Sequence, residues 1–265
     1  MIHHDFVQQI PAQLQASLHD KRLVFTIATS PEDTDSLTRI LSVVPNIVCH
    51  HAANPSFARM RQQLLQNEGC AYDFWLTQKL PRIADCASAI YIETSHLFGK
   101  GFAESLVDLG VVPDLIVLTN PIRETAVRLY QAGTIPGRTA TDSIDLLTPD
   151  DDNVMPLFGW QHLHDYQLCY WYCLEMARRG QKYAKLCRSL GGRVVTTTMA
   201  NLETLTGFRQ FVMDLELPWL SLQDWLRFAW LKQQKRRPPQ VPESLLAQVD
   251  QLEQEVMDRL VPMTY

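Results

Sequence analysis

Residues 29–36, "TSPEDTDS", follow the apolar run "RLVFTIA" and precede a helical pattern. A strand, a tight turn and a helix are the parts with which many α/β proteins hold a phosphate on the amides of a helix N-terminus. Such loops use glycine for close backbone approach and a cation for charge. This turn has no glycine, lysine or arginine, and it carries Glu32, Asp33 and Asp35. A like charge about 5 Å away at an effective dielectric near 20 costs about 3 kcal/mol. Two such acids would remove most of a micromolar affinity, itself about 8 kcal/mol. The local reading needs no ligand. Ser30 is a favoured N-cap, Pro31 suits the first helical position, and Asp33 stands three residues after Ser30 as in a capping box. A third reading takes Asp33 and Asp35 as a DxD pair for a divalent ion.

Other residues invite chemistry. Glu93, Ser95 and His96 end a predicted strand, where open α/β sheets place their ligand crevice. They read either as substrate-side groups or as a strand-end hydrogen-bond network. A Ser95–His96 nucleophile pair is unconvincing, because adjacent residues rarely face each other and no elbow motif surrounds them. Lys100 in "FGKGF" reads as an anion contact or as a solvated loop lysine. Cys169 and Cys173 at i, i+4, with His162 and His164 nearby, have metal-like spacing. Buried thiols and helix-capping or surface histidines are the plainer reading, and no metal is expected.

The 265 residues are 46% hydrophobic and 20% charged, with a formal net charge of −5. That composition suits a soluble globular protein and argues against a general nucleic-acid binder. The six cysteines include no CxxC pair, which fits free thiols in a reducing cytoplasm. Neither a signal-peptide core nor a membrane-length apolar run is expected.

Positioning these groups falls to strands and helices. Residues 22–28, 46–51, 88–95, 113–120 and 192–198 are nearly continuous apolar runs, as in parallel strands covered on both faces. Helical patterns separate them, so βα units around an open parallel sheet are expected. "NPIRETAVRLYQAG" suggests Asn120 as N-cap, Pro121 at the first position and Gly133 past the end. Residues 164–192 read as one long helix. "PWLSLQDWLRFAWLKQQ" is amphipathic, "KRRPPQVP" is a basic, proline-rich break, and 243–260 is a charged final helix. Trp219, Trp225, Phe228 and Trp230 either pack back on the domain or form a partner-binding face.

The run "FTIATSPEDTDSLTRILSVVPNIVCHHAANPSF" resembles the start of bacterial sulfotransferase-family proteins. There a strand leads into a loop of the type T-G-R-S-G-T-T, then a helix ending near L-S-x-x-P-N, then C-H-H-E-x-N-P. The similarity continues through "YIETSHLFGKGFAESLVDLG", "DLIVLTNPIRETAVRLYQAGTIPGRT", "HDYQLCYWYCLEMARRGQKYAKL" and "VVTTTMANLETLTGF", over roughly residues 22–215. It implies a three-layer, P-loop NTPase-like fold that binds 3′-phosphoadenosine 5′-phosphosulfate (PAPS). The sulfuryl group then passes to a hydroxyl or amine by positioning, charge stabilisation and base assistance.

Position by position, the resemblance sets Pro31 against the family's basic residue and Asp33 against its central glycine, while Thr34 is kept. In "LTNPIRETAVRLY", Thr119 and Asn120 stand where arginines are expected and Arg128 where serine is; Arg123 matches. "CHHAAN" keeps His51 and puts Ala52 in place of the family's acid. The implied cofactor contacts are Thr29, Ser30, Thr34, Arg123 and Arg128, if PAPS is still bound. His51 would be catalytic, with Glu93, Ser95 and His96 on the substrate side. The expectation is a sulfotransferase-like domain at 1–218 with a helical extension at 219–265. With three patches altered, it is expected to act as a pseudoenzyme, a binding or assembly component, using 219–237 for a protein partner. The alternative is an active, atypical PAPS-dependent sulfotransferase.

Overall fold

A computed structural model of the chain describes residues 9–64, 67, 69–138, 145–231, 245 and 247–260. Strands β1 (Arg22–Ile27), β2 (Val48–His51), β3 (Ile90–Thr94), β4 (Asp114–Leu118) and β5 (Val194–Thr197) form one sheet in the order β2-β3-β1-β4-β5. Every pairing is parallel, with Phe25 of β1 level with Glu93 of β3 and Leu115 of β4. The five expected strands are therefore present. The continuous apolar runs of the central strands β1, β3 and β4 follow from burial on both faces, with Val24 and Phe25 fully buried, whereas the edge strands β2 and β5 are only partly buried.

Helices α1 (Ala12–Leu18), α2 (Pro31–Leu41), α3 (Phe57–Leu64) and α4 (Cys70–Phe74) lead into a π-helical turn, Trp75–Lys79. Then come α5 (Leu80–Ala84), α6 (Ala103–Asp108) and α7 (Ile122–Gln131). Further helices are Asp165–Ser189, Met199–Leu202, Leu205–Asp214, Leu222–Leu231 and Val249–Arg259. Of the final helix expected at 243–260, residues 243, 244 and 246 lie outside the described residues. No helix among the described residues is long and apolar enough to cross a membrane.

The chain divides into two compact units. One takes the described residues of Met1–Thr119 and Gly180–Gln234, the other those of Asn120–Arg179 and Lys235–Tyr265. In the first, helices cover both faces of the sheet. On one face Val24 and Ala28 pack with Leu37 and Ile40 of α2 and with Phe208, Phe211 and Phe228. On the other, Phe25 stacks on Phe98 at 4.5 Å and meets Trp75 edge-on at 5.6 Å. Gly180 lets its helix press on the sheet, since a Cβ there would stand 3.0 Å from Val117 Cγ1.

In the second unit α7 begins one residue later than expected. Pro121 is the N-cap, without a side-chain hydrogen bond, and Gly133 follows the helix at φ 69° as anticipated. Glu253 of the last helix accepts from Arg123 Nε at 2.9 Å and from Tyr166 Oη at 2.5 Å. Glu175 is fully buried and holds both Arg178 and Arg179, each at 2.6 Å. These internal ion pairs order the unit.

Candidate functional site

The strand order selects one edge of the sheet. From β1 the chain crosses β3 to reach β2, whereas from β4 it moves outward to β5. Adjacent strands whose connections part this way open a crevice beyond their carboxyl ends. That edge carries Ala28–Ser30 after β1, His51 at the end of β2 with Ala52 after it, Ser95 and His96 after β3, and Thr119 after β4.

The turn after β1 closes on itself. Ser30 caps α2: its Oγ accepts from Asp33 N–H at 3.4 Å and donates to Asp33 Oδ2 at 3.0 Å. Pro31 occupies the first helical position, and Ser30, Asp33 and Thr34 are all buried. Thr34 Oγ1 donates to the Pro31 carbonyl at 2.8 Å. The Ser30 cap thus meets the Asp33 N–H of the first turn, and Asp33 sets its carboxyl group at the positive end of the helix dipole. Asp35 points elsewhere: it is exposed and pairs with Arg39 at 3.4 Å. Among the described residues no group of His, Cys, Asp and Glu is arranged to hold a metal ion.

At the ends of β2 and β3 the parallel register sets His51 level with Thr94. Their Nδ1 and Oγ1 lie 3.4 Å apart, and Thr94 Oγ1 also meets Thr38 Oγ1 of α2. Ala52, at φ 44°, turns the chain away and donates its N–H to Thr94 O at 3.0 Å. His96 is 8% exposed, and neither ring nitrogen has a hydrogen-bond partner. Burial first, then the nearby charges of Lys100 and His51, hold its imidazole well below the ordinary histidine range. Lys100, the loop lysine, is fully buried.

Glu93 faces inward. Lys79 Nζ donates to it at 2.7 Å and Tyr91 Oη at 2.6 Å, while Lys79 also donates to the carbonyls of Ala53 at 3.0 Å and Pro55 at 2.9 Å. Burial pushes the Glu93 carboxyl up and the Lys79 ammonium down, and each partner's charge works against that. Three acceptors around the ammonium and donors on both carboxylate oxygens suit the ionised pair. Glu93 thus belongs to the strand-end network foreseen as one of its two readings. Ser95, also buried, accepts from Leu97 N–H at 3.2 Å.

The remaining expected residues lie apart from this cluster in sequence and environment. Thr119, the last residue of the first unit, is tied to β5 through its N–H to Thr197 O at 2.8 Å. Arg123, in the second unit, spends its guanidinium on Glu253 at 2.9 and 2.6 Å and on Asp250 at 2.6 Å. Glu253 raises its pKa further. Arg128 lies in the last turn of α7, half-buried, and its charge reaches Cys173. None of the six cysteines forms a disulfide, and burial pushes the Cys49 thiol up to about 12 and the Cys187 thiol up to about 11, which leaves those two thiols unreactive. His164 is a capping residue, its Nδ1 accepting from Tyr166 N–H at 3.1 Å.

A scan against models of known protein families finds no match, and a search of curated proteins finds none either. Sequence reasoning missed Lys79, Tyr91, Thr38 and Thr94. Thr94 was within reach, because pairing "VCHH" with "IYIET" in parallel sets it beside His51. Lys79 gave no such signal.

A cavity of about 760 Å³ lies at the opposite, amino-terminal edge of the sheet, lined by Lys21, Arg22, Asp108 and Asp114 among others. Arg22 is bonded there to Asp114 at 2.6 Å, and Lys21 to the Ser88 carbonyl at 2.9 Å. Its charged groups serve internal contacts, and it is remote from the carboxyl-end crevice. We therefore place the candidate site at the latter.

Proposed function

We propose that this chain is a sulfotransferase-like protein of the three-layer, P-loop type that has given up PAPS chemistry and acts as a binding or assembly component. One observation carries the reading: the Asp33 carboxylate is folded onto Ser30 at the N-terminus of α2. In the register that the resemblance implies, this turn would cradle the 5′-phosphosulfate. Here a buried anion already sits where that anion would bind, and the family's cation is replaced by Pro31. Arg123, the one matching residue of the 3′-phosphate motif, is spent on Glu253 and Asp250.

A binding role gains support from the helix Leu222–Leu231. Phe228 is buried and stacks on Phe208 at 4.4 Å, whereas Trp219, Leu222, Leu226 and Trp230 are 64–77% exposed. The inward face packs back on the domain through Phe228, and the exposed residues leave an outward face for the other expected reading. The outward face is the proposed contact for a protein partner; residues 232–237 of the expected 219–237 region lie outside the described residues.

The second reading, an atypical active enzyme, draws on the imidazoles of His51 and His96 at the crevice. The test is PAPS turnover against a panel of hydroxyl and amine acceptors. The proposal expects no sulfuryl transfer above the protein-free control. Transfer that disappears on replacing Arg123 and Arg128 with alanine would establish the second reading instead.

A further inference from the structure

The helix Leu222–Leu231 is apolar on two sides. Inward, Phe228 stacks on Phe208 at 4.4 Å, and Trp225 meets both rings edge-on. Outward, Leu222, Leu226 and Trp230 recur at every fourth residue, so they follow one another along a single side of the helix. They are 77%, 64% and 67% exposed, and Trp219, just before the helix, is 70% exposed. A helix that only covered a sheet would carry polar residues there.

The order of this stripe, Trp, Leu, Leu, Trp, reads the same in both directions. Laid antiparallel on itself, it sets Trp219 against Trp230 of a second copy and Leu222 against Leu226. An isologous contact has that property: residue i meets residue j, and j meets i. Asp224 and Arg227 stand 4.0 Å apart and are the charged residues of the helix, so it brings no net charge to the contact. The sequence then continues into Lys232, Lys235, Arg236 and Arg237. Antiparallel seating keeps the two carboxyl-terminal helix ends apart, whereas parallel seating would bring these like charges together.

The area is of the right size. Two tryptophans and two leucines so exposed offer about 500–600 Å² per chain, at the upper end of the patches that monomers leave open. Two copies would cover about 1,000–1,200 Å², the lower bound of a specific interface. We propose that the Trp219–Trp230 face joins two copies of this chain in an antiparallel, two-fold dimer. The inference rests on the reading above that this face contacts a protein, and it names that protein as the chain itself.

Analytical ultracentrifugation of the full chain is the test. The chain is expected to be mostly monomer at about 1 µM and mostly dimer at about 100 µM, with a Kd on the order of 10 µM. Leu226→Glu and Leu222→Lys should each weaken the dimer about tenfold or more, because each buries an unpaired charge twice. Both positions are exposed, so the urea midpoint of the monomer should not move. An equimolar mixture of the two variants should regain association. In the mixed pair one contact sets the introduced acid against the introduced base, and the other keeps its two leucines. A wild-type chain monomeric up to about 100 µM, or a dimer untouched by both variants, would overturn the proposal. A mixture no more associated than its components would overturn the antiparallel seating. If the monomeric chain instead sediments with vesicles of phosphatidylserine and phosphatidylcholine, the face belongs to a lipid surface and the dimer is rejected. A monomeric chain contradicts this dimer alone and leaves the loss of PAPS chemistry standing; nucleotide binding does the reverse.

Discussion

Lys79, Glu93 and Tyr91 show what one buried charge demands of its neighbours. The ion pair has almost no access to water, and its donors and acceptors are all used inside the protein. Removing one partner strands the other charge, so Lys79→Met should lower stability by about 3–5 kcal/mol in urea unfolding. Lys79→Met combined with Glu93→Leu should recover much of that loss; a double variant no better than the single one would contradict the pairing. His96 makes a prediction in pH. Its folded pKa lies well below 6.5, so on acidification the unfolded chain takes up that proton first. Stability should therefore fall as pH drops below about 6.5, and His96→Phe should flatten that part of the profile of urea midpoint against pH. Glu93 and His96 were legible as strand-end residues because an acid and an imidazole closed an apolar run. Lys79 was not, because what makes it a partner is a helix returning to β3 through tertiary packing, and no periodicity encodes that.

The elements carry the next part of the account. Ser30 to Thr34 read as a helix start from residue types alone, and the cap forms as those types dictate. Ser30→Ala should cost about 1 kcal/mol, as for other N-cap losses, with the fold retained; an unchanged urea midpoint would show that the cap contributes nothing. The helix Leu222–Leu231 divides its aromatics by face, which gives opposite expectations for two neighbours. Phe228→Ala should cost about 3–5 kcal/mol, while Trp230→Ala should stay within about 0.5 kcal/mol and act on partner capture alone. Equal losses at both positions would mean that the outward face is covered. Sequence patterning marked this helix as amphipathic. Which of Trp219, Trp225, Phe228 and Trp230 point inward depends on the position of Phe208, one element earlier. At α7 the residue types pointed to Asn120 as N-cap with Pro121 at the first helical position, whereas Pro121 itself is the N-cap and the helix begins at Ile122.

At the scale of the molecule, the parallel sheet was legible almost strand for strand, because central strands buried on both faces leave continuous apolar runs. The division into two units was not, since it depends on contacts such as Arg123 with Glu253 that are distant in sequence. Local helix chemistry explains the acids of the turn after β1: Ser30 caps α2, and its hydroxyl donates to Asp33, which stands in the first turn at the positive end of the helix dipole. The central proposal is that this turn does not accept the nucleotide. Calorimetry of the full chain with 3′-phosphoadenosine 5′-phosphate tests it most directly. The account predicts no binding tighter than about 10 µM, a free energy of about −7 kcal/mol. A saturable isotherm with a Kd below that value would contradict it.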